Sequence, residues 1–70
     1  MKRGDFLLVN GKERTWTAEM TIQSLLQALG HDPQRVAVER NGQIVPRARF
    51  AEERLCETDI MEIVQFVGGG

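Results

Sequence analysis

The chain has 70 residues, a formal net charge of -1 and 41% hydrophobic residues. That length makes one small domain that buries only about 60% of its unfolded surface, which leaves room for one short sheet and one helix and hardly for an enclosed active site. The charge balance argues against general nucleic-acid binding, which needs a basic footprint, and the single Cys56 excludes an internal disulfide framework. No run approaches the length of a membrane span, and the N-terminus lacks the order of a signal peptide, so a reducing cytoplasm is the expected location.

Residues 1–5 read as a polar lead-in. Phe6-Leu7-Leu8-Val9 is a short apolar run suited to a strand buried largely on both faces. Asn10-Gly11 follows, and both residues tolerate the positive φ of a tight hairpin turn. Lys12 to Thr17 alternates loosely, with Trp16 laying its ring on the core at the sheet's edge rather than serving recognition. Thr21 is a good N-cap for a helix of about nine residues, whose Ile22, Leu25, Leu26 and Leu29 share one face. Gly30 stands where a left-handed residue ends a helix, and Pro33 comes soon after.

Val36-Ala37-Val38-Glu39 reads as a third strand, Asn41-Gly42 as a second tight turn and Gln43-Ile44-Val45 as a fourth strand ended by Pro46. Arg47 to Glu53 suits a turn of helix or 3₁₀ with Phe50 turned inward. Leu55, a buried Cys56 and the turn Glu57-Thr58-Asp59 lead to a last strand, Ile60 to Val67. Met61 and Ile63 lie on one face of that strand, and Val64 and Phe66 on the other. The first face packs on the helix, and the second is either covered or an exposed docking patch. Two strands before the helix and three after it imply an α+β fold, a mixed sheet of about five strands on one helix, with the last strand in the middle and parallel to the first. The domain is expected over residues 1–67 and a flexible tail over Gly68, Gly69 and Gly70.

Catalytic constellations are missing from the sequence. One Cys and one His cannot make a zinc site, and no helix follows Gly68 to Gly70 to complete a phosphate loop. Nothing places Cys56 beside His31 as a nucleophile pair, and acidic neighbours such as Glu52-Glu53 are expected by chance. Arg40, Arg47, Arg49 and Arg54 form either a solvated face or a rim of charge that meets an acidic partner. The remaining special group is the carboxylate expected at Gly70, at the tip of a tail that is either a frayed end or a segment presented to another protein. A carboxylate reacts only after conversion to an ester or anhydride with a good leaving group. Glycines without side chains suit threading into a partner's narrow channel.

Val9-Asn10-Gly11, the Leu25-Leu26 helix, the stretch from Val36 through Arg47 and the end from Glu62 to Gly70 together resemble the ThiS family of sulfur carriers of thiamine biosynthesis. The resemblance runs from Phe6 to Gly70, and its specific part is Asn-Gly-x-Ile-Val-Pro-Arg combined with the diglycine end. It implies a ubiquitin-like β-grasp fold and a protein that is not itself an enzyme. It implies that a ubiquitin-activating-like adenylyltransferase of the ThiF type uses MgATP to adenylate the Gly70 carboxylate. A persulfide donor then supplies sulfur, and the resulting thiocarboxylate passes to thiazole synthase of the ThiG type. It further implies that Gly68 and Gly69 thread the tail, that Val64, Phe66 and Arg47 dock partners, and that the chain itself binds no cofactor or metal. Two departures stand out: residues 1–5 extend the family's usual start, and Thr58-Asp59 replaces a common Gly-Asp, which suggests a differently shaped turn. Other readings are the small subunit of molybdopterin synthase, a lysine-conjugated modifier and a plain interaction module with an inert tail.

Overall fold

The structure is a computed structural model that describes residues 5–66. The expectations for the lead-in at residues 1–4, for Val67 and for the tail at Gly68, Gly69 and Gly70 lie outside the described residues.

Strand β1 (Phe6–Val9) and strand β2 (Lys12–Thr15) form an antiparallel hairpin. Asn10 and Gly11 have φ of 50° and 83°, the doubly positive pair that the Asn-Gly signal anticipates. The β1 expectation needs correction: Leu7 and Val9 are buried, but Phe6 and Leu8 are only half-buried, so the outer face is not fully covered. Trp16 rests against the core, and its indole Nε1–H donates to the Leu55 carbonyl at 2.9 Å.

Helix α1 (Ile22–Ala28) is capped as its sequence asks. The Thr21 hydroxyl accepts from the Ser24 amide, while the Ser24 hydroxyl accepts from the Thr21 amide. The next free amides, of Ile22 and Gln23, donate to the Glu53 and Phe50 carbonyls, which ties the helix start to the loop after the sheet's edge. At the other end Gly30 takes φ of 81°, its amide donates to Gln27 and the His31 amide to Leu26, a Schellman ending. The helix is seven residues rather than the nine expected, because Leu29 is already the half-buried cap.

A 3₁₀ turn (Pro33–Arg35), capped by the Asp32 carboxylate, leads into strand β3 (Val36–Arg40). A second hairpin through Asn41 and Gly42, again both at positive φ, gives strand β4 (Gln43–Val45). A second 3₁₀ turn (Arg47–Arg49) carries Phe50 into the core, where it is 2% exposed. Strand β5 (Ile60–Gln65) ends earlier than expected, although the Phe66 amide still donates to the Arg35 carbonyl.

The sheet order is β2-β1-β5-β3-β4, with β5 parallel to β1 and antiparallel to β3. This is the ubiquitin-like β-grasp arrangement, with the last strand in the centre. Leu7, Val9, Val36, Val38, Met61 and Ile63 point to the helix and meet Ile22, Leu25 and Leu26. Both turn asparagines reach onto β5. The Asn10 side-chain amide accepts from the Ile63 amide at 2.7 Å and donates to the Ile63 carbonyl at 3.1 Å. Asn41 accepts from the Ile60 amide at 2.9 Å, and its own backbone amide donates to the Ile60 carbonyl.

Cys56 is exposed, not buried as expected. Its backbone amide donates to the Asp59 carboxylate at 2.7 Å, and this turn leaves the side chain on the surface. Thr58 has φ of 68°, the left-handed region, which a β-branched residue adopts only under strain. The Thr58-Asp59 departure therefore places a threonine in a backbone conformation that glycine adopts without that strain.

Asn10→Gly keeps a residue suited to positive φ but removes both bonds to Ile63. We expect a loss of about 1–2 kcal/mol in urea unfolding, whereas an asparagine that served the turn alone would leave stability unchanged.

Candidate functional site

The β5 side chains alternate, and the register sorts the sheet into two faces. Ala37 opposes Val64, Glu39 opposes Glu62, Ile44 opposes Glu39, and Leu8 opposes Ile60, all on the face away from α1. On that face Ile44 is 73%, Val64 60% and Phe66 51% exposed, and Ile60 is also exposed. The second face of β5 is thus an exposed apolar patch, the uncovered alternative of the two left open by the sequence. Phe66, Ile44, Pro46 and Arg47 border one shallow depression of about 180 Å³.

Glu39 and Glu62 sit opposite one another in the middle of this patch. Like charges directly opposed across two strands destabilise a sheet. The arginines that form ion pairs among the described residues serve Asp32, Glu53 and Asp59 instead, so none of those pairs offsets the cost.

The four arginines do not form a common rim. Arg40 turns to the opposite side, where Nε donates to Asp59 at 2.8 Å and Nη1 to Glu53 at 3.1 Å. Arg49 pairs with the same Glu53 at 3.1 Å. Arg54 is exposed and meets Thr21 through a single backbone bridge. Arg47 donates through Nε to the Pro33 carbonyl at 2.9 Å and through Nη2 to the Val36 carbonyl at 3.5 Å.

Asp59 is buried at the start of β5. Burial by itself raises its pKa, but the Cys56 amide, the Asn41 side-chain amide and the Arg40 guanidinium together hold its carboxyl below the usual aspartate value. These bonds fix where β5 begins. Sequence reasoning misses Asp59, Asn10 and Asn41 as a set; a polar residue immediately before an apolar strand is the only local signal.

Of the expected site residues, Val64 and Phe66 share the exposed face, and Arg47 borders the depression next to Phe66. Gly68, Gly69 and Gly70 lie outside the described residues. Among the described residues no three His, Cys, Asp or Glu side chains gather as a metal site, and no helix is long and apolar enough to cross a membrane.

The model of the ThiS family matches residues 7–70. The sulfur carrier protein ThiS of Bacillus subtilis is 45% identical over 65 residues, covering 91% of this chain and 98% of that protein. A thiazole synthase of Paramagnetospirillum magneticum is 48% identical over 64 residues, which span 91% of this chain but only 20% of that relative. The crystal structure of a thiamine biosynthesis protein (ThiS) from Geobacter metallireducens superposes with a TM-score of 0.77 at 34% identity, covering 93% of this chain and 99% of that one.

Acid unfolding tests the Asp59 cluster. A carboxylate whose folded pKa is depressed contributes stability that is complete above its unfolded value of 3.8 and is lost as pH falls through the folded value. Asp59→Asn is expected to cost about 1–3 kcal/mol near neutral pH, measured by urea unfolding, with the deficit shrinking as pH falls below 3.8. A deficit that does not change with pH contradicts the charge-based account.

Proposed function

The chain belongs to the ThiS family, and from that premise we propose that it is a sulfur carrier for thiamine thiazole synthesis whose reactive group is the Gly70 carboxylate. The observation that carries the reading is a family match that covers residues 7–70. The protein is then a co-substrate, not an enzyme, and works in the cytoplasm.

The chemistry follows from what a carboxylate lacks. Its oxygen is a poor leaving group. A partner adenylyltransferase of the ubiquitin-activating type, holding MgATP, joins the Gly70 carboxylate to AMP and releases pyrophosphate. The outer sulfur of a persulfide donor attacks the acyl adenylate and displaces AMP to give an acyl disulfide. A second thiol then cleaves the S–S bond, which leaves a thiocarboxylate on Gly70 and a disulfide between that thiol and the donor. That anionic sulfur is a good nucleophile and is handed to thiazole synthase. The synthase relative with a similar segment in its own chain supports such an association.

Gly68 and Gly69 let the tail pass a channel too narrow for side chains. Val64 and Phe66 supply the apolar docking contact, because both are exposed beside the point where β5 leaves the sheet. The partner surface that fits is apolar with a Lys or Arg side chain placed to meet Glu39 and Glu62. Arg47, the third docking candidate, spends its two hydrogen bonds on backbone carbonyls of its own chain.

The test is intact mass spectrometry after incubation with the adenylyltransferase, MgATP and a persulfide source. The wild-type chain is expected to exchange one terminal oxygen for sulfur. Gly69→Val is expected to unfold at the same urea concentration and to lose the exchange by at least about a hundredfold. Normal exchange in Gly69→Val contradicts threading, and no exchange in the wild type contradicts the function.

A further inference from the structure

We propose that Arg47 is a positioning residue that fixes the exit of β5 at Phe66. The inference rests on the sulfur-carrier reading for its consequence but on geometry for its content. Its guanidinium holds the carbonyls of Pro33 and Val36, which flank Arg35 on both sides. The Arg35 carbonyl accepts the Phe66 amide at 2.8 Å, the last backbone bond of the C-terminal strand among the described residues. One side chain therefore braces the short backbone segment on which the exit of β5 is hung.

The brace needs an arginine. Two donors on one planar fork reach two carbonyls three residues apart, 14 and 11 positions away in the sequence. A lysine brings one ammonium on a flexible stem and can hold one of them. The braced segment is a single 3₁₀ turn, whose own support is the Asp32 cap and an Arg35 amide bond to the Asp32 carbonyl. Such a short turn opens easily by itself. Pro46 directly before Arg47 fixes the backbone from which the side chain leaves, at φ of -62°. The Ile-Val-Pro-Arg stretch thereby acquires a physical role. Its Val45 seats β4 in the core, the proline ends that strand, and the arginine returns to the entry of the neighbouring one. One residue, Val67, separates Phe66 from Gly68 in the sequence, so under the sulfur-carrier reading loss of the Phe66 bond slows delivery of the reactive end.

The experiment compares wild type, Arg47→Lys and Arg47→Met with Ile22→Val, a core variant that touches no bond at the exit. Two readouts are taken on each full chain. Amide hydrogen exchange at Phe66 is compared with that at Leu8, whose amide donates to the Asp59 carbonyl at the strand's other end. Kinetics of thiocarboxylate formation by the adenylyltransferase are measured with the carrier as the varied substrate. Arg47→Met is expected to speed Phe66 exchange about tenfold or more with Leu8 unchanged, and to lower kcat about tenfold with little change in KM. Arg47→Lys is expected to fall between. Phe66 and Leu8 accelerating together, as in Ile22→Val, shows an ordinary stability effect and overturns the proposal. A raised KM with unchanged Phe66 exchange shows direct docking and also overturns it. If the wild type forms no thiocarboxylate, the functional reading fails, while the exchange comparison still decides whether Arg47 holds the exit.

Discussion

The fold depends on how the last strand is held in the middle of the sheet. A central strand needs partners on both edges, and here both edges are completed by side chains as well as by backbone. Asn10 binds Ile63 from the β1 side, and Asn41 binds Ile60 from the β3 side. The Asn41 side-chain amide also donates to Asp59, which in turn accepts from Arg40 and from the Cys56 amide. Each hairpin turn thus does two things. Its positive φ reverses the chain, and its asparagine extends the hydrogen-bond ladder of a strand distant in sequence. Glycine meets the first need equally well and cannot meet the second.

This arrangement divides β5 along its length. Met61 and Ile63 face the helix and belong to the core. Val64 and Phe66 face outward, beyond the clamped portion. The strand is firm where it is central and exposed where it ends. The facing Glu39 and Glu62 add a local conflict to the outer surface. A surface that only had to be soluble would gain by neutralising one of them. Their presence beside exposed apolar groups fits a face completed by a cationic partner. Arg40 pairs with both Glu53 and Asp59, whereas Glu39 and Glu62 are turned outward.

Much of this was legible in the sequence because the signals were local. Asn-Gly at two positions marks both hairpins, and Thr21, the leucine spacing and Gly30 mark the helix with its ends. The two-sided apolar pattern of residues 60–66 marks the central strand and its outer patch. What stayed hidden were bonds between distant positions. Asn10 and Ile63 are 53 residues apart, and no pattern along the chain marks that pair. The exposure of Cys56 escapes sequence reasoning because it follows from a turn built by Asp59, not from the polarity of the thiol. The left-handed Thr58 carries no local signal, since threonine is not a residue assigned to positive φ; only the departure from the family's Gly-Asp marks the position. Arg47 reads as a surface charge in the sequence, whereas its donors meet backbone carbonyls of another element. The glycine tail is legible as chemistry only, through the family pattern that includes it.

The central claim is that β5 is locked from both sides, so that its end moves with the domain. Residue-resolved amide exchange under native conditions tests it most directly, at the Ile60 and Ile63 amides that donate to Asn41 and Asn10. Both are expected to exchange only through global unfolding, at the free energy that urea unfolding gives. Exchange of either amide at the faster rate of the exposed edge strand β2 contradicts the lock.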